Sequence, residues 1–151
     1  SGQSAREIAA MQRLMDDLGP CEGVLIYPEG TRFTPAKRAR ALEKLGRHAN
    51  RALVARASRL MHVLPPHTGG PLGLLERNPE VDAVFCAHSG LEGAGSPGDL
   101  LAGALVGSTV RVRFWRVPYA EIPVTDDARI DWLYDQWQRV DEWIGDRREP
   151  A

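Results

Sequence analysis

The sequence predicts an α/β domain: a mixed central sheet with flanking helices. Three observations predict it. Val24-Leu25-Ile26-Tyr27-Pro28 is a short apolar run that stops at polar residues, the pattern of a buried strand in an α/β sheet. Val110 to Trp115 alternates apolar and polar, the period of a half-exposed strand. Ile130, Leu133, Trp137, Val140 and Ile144 recur at three- and four-residue steps, the period of an amphipathic helix. The 151 residues, 43% hydrophobic and 26% charged, suit one domain, residues 1–151, with one core.

In chain order, Ser4-Ala5-Arg6-Glu7 has the form of a capping box. Ile8, Met11, Met15 and Leu18 follow at helical spacing, and Gly19-Pro20 ends that helix. The first strand, 24–28, comes next. A second helical stretch runs from Pro35 to about Leu60 and is interrupted near Gly46 and Asn50. Met61 to Pro65 reads as another buried strand, with Pro66-His67-Thr68-Gly69-Gly70 as its C-terminal loop. A short helix from Pro71 to Arg77 precedes a third strand, Asp82 to Ala87, with Val84 and Phe85 as core. Gly90 to Gly98 is glycine-rich loop, and Asp99 caps a short helix over Leu100 to Leu105. In the strand from Val110, the residues Val110, Val112 and Phe114 face one side and Arg111, Arg113 and Trp115 the other, at a sheet edge. Charge protection of that edge, or contact of its Arg/Trp face with a headgroup layer, accounts for the pattern. Thr125-Asp126-Asp127 opens the last helix with a cap and two acids suited to the dipole. Trp132 and Trp143 fall on its far side, as scattered surface aromatics or as interfacial anchors.

Two cysteines, Cys21 and Cys86, have no metal-like or disulfide-framework spacing, so buried free thiols are expected. No run approaches the ~18 apolar residues of a membrane span. The net charge of −1 hides an uneven spread. From Arg32 to Arg59 there are nine basic residues and one acid, Glu43, so this stretch carries +8 and the remainder −9. Such a field attracts phosphates, anionic headgroups or nucleic acid. Few aromatics interleave with those charges, which argues against nucleic acid.

The chemistry concentrates after the first strand. In α/β sheets ligands sit beyond the carboxyl ends of strands, which is where Glu29, Gly30, Thr31 and Arg32 stand. Gly30 permits a tight turn, Thr31 offers a hydroxyl, and Arg32 offers a donor fork that matches a phosphate. Glu29 orients that Arg or accepts from a ligand hydroxyl. The same rule puts the loop after Pro65 beside this one.

The order Pro28-Glu29-Gly30-Thr31-Arg32 after an apolar strand resembles the acceptor-binding block of lysophospholipid acyltransferases, the family of 1-acylglycerol-3-phosphate acyltransferases. Val63-Leu64-Pro65 resembles a later block of that family. The run His62 to Gly70, and Trp132 to Trp137 with the helix beyond, resemble its lysocardiolipin-type branch. His67 stands where that branch usually has Arg; histidine keeps a donor but not a permanent charge.

The resemblance implies transfer of an acyl chain from acyl-CoA, a co-substrate and not a bound cofactor, to a lysophospholipid. It implies partners that include an anionic membrane surface, a membrane-associated location on the cytoplasmic side, and a place in phospholipid biosynthesis. In such enzymes a His-x4-Asp pair supplies the base. Five residues after His48, His62, His67 and His88 stand Leu53, His67, Leu72 and Gly93, so the pair is absent. The chain is therefore expected to be an incomplete glycerolipid-acyltransferase-like domain, its C-terminal portion. It would supply the acceptor phosphate site through Glu29, Gly30, Thr31 and Arg32, with no catalytic residue of its own. A non-catalytic domain that binds anionic lipid or phosphate on the same fold is the alternative. An incomplete sheet would also leave an apolar edge, so the isolated chain is expected to associate.

Overall fold

The computed structural model describes residues 21–91, 106–107 and 109–147, together with Ala9, Ala10, Arg13, Asp16, Leu18 and Gly19. Four helices and a two-stranded antiparallel sheet are present among them. The order is α1 (Pro35–Gly46), α2 (Arg51–Arg59), α3 (Gly69–Arg77), β1 (Ala83–Ser89), β2 (Arg111–Val117), a 3-10 turn (Tyr119–Glu121) and α4 (Asp126–Gly145). Ala9, Ala10 and Arg13 are helical, as the N-terminal periodicity predicts; the rest of that helix and the predicted cap and helix at 99–105 lie outside the described residues.

The break predicted within 35–60 falls between α1 and α2. Thr34 caps α1 by accepting from the Lys37 amide, and Asn50 caps α2 by accepting from the Leu53 amide at 2.8 Å. Arg38 closes the other end of α2: its Nε donates to the Leu60 carbonyl and Nη2 to that of Ser58 at 2.8 Å. Two carbonyls that the helix cannot satisfy itself thus find a cationic donor.

α4 is the central element. It packs against β1, α2 and α3. Leu133, Trp137, Val140 and Ile144 are buried on it, as their spacing predicts. Trp143 is buried as well, and Trp132 packs against the core with its ring edge-on to Phe85 at 5.5 Å. The predicted outward placement of these two tryptophans is therefore wrong. A helix covered from several sides buries a wider arc than one apolar stripe. Arg56 ties α2 to α4 through Asp131 and Asp135.

β1 and β2 pair with Phe85 opposite Trp115 and His88 opposite Val112. The pleat sends Phe85, Ala87, Trp115 and Val117 toward α4. Phe85 and Trp115 stack at 5.5 Å, and Trp115 Nε1 donates to Gln136 at 2.8 Å. On the Arg/Trp side Trp115 thus faces inward, while Arg111 and Arg113 are exposed. Val84, Val112 and Phe114 point outward and are exposed, at 62%, 49% and 66%. Val84 is not core, because it alternates with Phe85. Cys86 shares that outward face, and both it and Cys21 are free and exposed instead of buried.

Two expected strands are not strands. Residues 24–27 form no regular element and have no ladder partner among the described residues; Leu25 and Tyr27 are exposed while Val24 and Ile26 are half-buried. Residues 61–65 are irregular although Val63, Leu64 and Pro65 are buried. Side chains take the place of a neighbouring strand. Asp141 Oδ1 accepts from the amides of Met61 and Val63 at 2.9 and 3.0 Å, and from that of His62. Glu29 accepts from the Leu64 amide, and Trp137 Nε1 donates to the Leu64 carbonyl at 3.0 Å. Every buried backbone group needs a partner, and this segment finds its partners outside a sheet.

Candidate functional site

The loop after residue 27 and the loop after residue 63 lie side by side, as the strand-end rule predicts. The His67 amide donates to the Pro28 carbonyl at 2.8 Å. Glu29 reaches across to the Leu64 amide at 3.0 Å. Gly30 turns the chain with φ +66°, and its amide donates to the Tyr27 carbonyl at 2.9 Å. A β-carbon at Gly30 would meet the His67 ring at an ordinary 3.6 Å, so the glycine is there for its backbone conformation.

An open cleft of about 400 Å³ lies between these loops and α1. Glu29, Thr31, Leu64, Pro66 and His67 line it from the loops, and Tyr134 lines it as well. The other side is one stripe of α1 and the residue beyond it: Lys37, Arg40, Lys44 and His48. Their three- and four-residue steps put successive side chains on one helix face, about 5–6 Å apart at Cβ. Thr34 and Pro35 set where α1 begins and hence which residues face the cleft.

Lys37 Nζ donates to Thr31 Oγ1 at 2.7 Å and to the Arg32 carbonyl at 3.3 Å, joining the loop to the basic stripe. Burial raises the Glu29 pKa above the ordinary glutamate range; the Leu64 amide opposes that and the charge of Asp141 adds to it. Burial likewise raises the Tyr134 pKa, which keeps its phenol a donor.

Of the four residues predicted to bind substrate, Glu29 and Thr31 line the cleft and Gly30 shapes it. Arg32 is exposed and outside the lining. Lys37, Arg40, Lys44 and His48 are the members that sequence reasoning missed as individuals. Their helical spacing inside the basic run was the available signal. The remainder of that run is partly engaged in structure: Arg38 at the end of α2, Arg56 with Asp131 and Asp135, and Arg47 with Glu43. Three cations and two histidines around one acid give the cleft a positive lining, the charge character that suits an anion with several acceptor oxygens.

Comparison with protein-family models, curated proteins and solved structures gives no match for this chain. Among the described residues no group of three His, Cys, Asp or Glu is placed to hold a metal ion, and no helix is long and apolar enough to cross a membrane.

Proposed function

We propose that the cleft binds the phosphate of a lysophospholipid such as 1-acylglycerol-3-phosphate, and that the chain supplies the acceptor site of an acyltransferase that uses acyl-CoA as donor. The observation that carries this reading is the meeting of the 28–31 and 64–67 loops against the Lys37/Arg40/Lys44 stripe. The stripe neutralises a phosphate, Thr31 and Tyr134 offer hydroxyls, and Gly30 keeps the loop close. Arg32, at the edge, would meet the phosphate as the acceptor enters. The domain would then be glycerolipid-acyltransferase-like, working with a His-x4-Asp pair that this chain does not contain.

The missing pair favours a second reading, a phosphate- or anionic-lipid-binding domain without catalysis. In either case Val84, Val112 and Phe114, with Arg116 on the same face, would rest on an anionic membrane surface.

The test is equilibrium binding of a short-chain lysophosphatidate and of its phosphate-free analogue, below their micellar concentrations. The lysophosphatidate should bind at least about tenfold more tightly, and Lys37→Ala, Arg40→Ala and Lys44→Ala should each weaken it about five- to thirtyfold. Equal binding of the two compounds would overturn both readings. Because this chain contains no His-x4-Asp pair, thiol release from acyl-CoA separates the two readings only when a protein that supplies that pair is present with the acceptor.

A further inference from the structure

A second cavity, of about 340 Å³, lies away from the cleft, between the end of α3, the 3-10 turn and the start of α4. Leu75, Ile122 and Val124 give it apolar walls, and Glu80 and Arg129 also line it. Arg129 is only 7% exposed. Its Nε donates to the Pro123 carbonyl at 2.8 Å. Nη1 and Nη2 donate to no described residue, and neither is completely buried.

No described acid pairs with Arg129. Glu80 shares the cavity without reaching it, and Asp126 and Asp127, in the same turn of α4, are exposed and form no ion pair with it. A buried cation without a counter-charge is costly to keep. The Pro123 bond accounts for one nitrogen of the fork and leaves two without a described acceptor in a residue that lines the cavity. A planar guanidinium edge of that kind matches a carboxylate.

We infer that this cavity binds a small monocarboxylate with an apolar body. The carboxylate would bridge Nη1 and Nη2 of Arg129, and the body would lie against Leu75, Ile122 and Val124. With one cation in the cavity and Glu80 on its wall, a second negative charge on the ligand is disfavoured. A volume of about 340 Å³ suits a ligand of a few carbons and not a long acyl chain.

The experiment follows the Arg129 Nε–H resonance of the ¹⁵N-labelled chain during titration with hexanoate, hexanol and inorganic phosphate. Hexanoate should shift it saturably; hexanol and phosphate should bind at least about tenfold more weakly, the cost of losing one charge-assisted contact or of the apolar one. Val124 is 84% exposed, so Val124→Glu leaves the fold intact, places a carboxylate at the cavity and should weaken hexanoate about tenfold or more. Arg129→Gln, monitored through neighbouring amides, should abolish binding. A hexanoate titration that never saturates, equal binding of hexanol, or an unaffected Val124→Glu variant would overturn the inference and leave Arg129 as a structural tie to Pro123.

Discussion

Asp141 should be among the most sensitive positions in the chain. It is 6% exposed, and its Oδ1 receives three consecutive amides, those of Met61, His62 and Val63. The Val63 bond is buried and the other two are partly buried. In Asp141→Ala the buried Val63 amide loses the only acceptor it has among the described residues, which costs ~1–3 kcal/mol. The Met61 and His62 amides can recruit water, at ~0.5–1 kcal/mol each. The sum is about 2–5 kcal/mol, a large part of the ~5–15 kcal/mol typical of a domain. Asp141→Asn keeps an oxygen acceptor and loses the charge, so it should cost less, ~1–2 kcal/mol. Urea unfolding by far-ultraviolet circular dichroism gives both values from the midpoint at constant slope. Hydrogen exchange should localise the loss, with the 61–63 amides opening first. A cost below ~0.5 kcal/mol for Asp141→Ala, or a larger cost for the Asn variant, would refute the claim that this carboxylate substitutes for a strand partner.

Two further outcomes follow from the geometry. Gly90 has φ +91°, and a β-carbon there would stand 2.2 Å from the Thr109 carbonyl oxygen, so Gly90→Ala should lose about 2–4 kcal/mol of unfolding free energy through left-handed strain and forced backbone movement. A cost below ~0.5 kcal/mol by urea midpoint would mean that the β1 end is far more pliable than its packing implies. Glu29 has a raised pKa, so its folded form holds a proton that the unfolded form has already released; its contribution is full below the ordinary glutamate range and is lost as pH rises through the folded value. Glu29→Gln keeps an acceptor for the Leu64 amide without ionising, and its stability relative to wild type should therefore climb over that window and be flat below it; a flat difference from about pH 4 to about pH 8 would refute the burial argument.

Local signals reached the helices well. Pro35, Asn50 and Asp126 stand where helices begin, and Gly46 ends one, because caps and periodicity act within a few residues. Apolar runs carried less information. An apolar run reports burial, and burial does not specify a ladder. Val63 and Leu64 are buried as expected, yet their amides are held by Asp141 and Glu29, and the Leu64 carbonyl by Trp137. Those partners lie dozens of residues away, beyond any local window. The tryptophans of α4 misled for a related reason. A helical wheel assumes one covered face, and α4 is covered by β1, α2 and α3 together.

The site divides along the same line. Glu29, Gly30 and Thr31 were legible because they follow an apolar run, and their juxtaposition with His67 followed from a rule about strand ends even though neither run pairs as a strand. The basic stretch was legible only as a total of +8. Its division into roles depends on angle around α1 and α2. Lys37, Arg40, Lys44 and His48 share one face and meet the cleft, whereas Arg38, one position on from Lys37, turns about 100° away and closes the end of α2. Arg56, on the next helix, is drawn to Asp131 and Asp135. A charge count treats these residues alike; the helical period sorts those that line the cleft from those that hold the fold. It follows that swapping Lys37 and Arg38 in sequence, which leaves composition and net charge unchanged, would keep a cation at the cleft yet take the guanidinium fork from the Leu60 and Ser58 carbonyls.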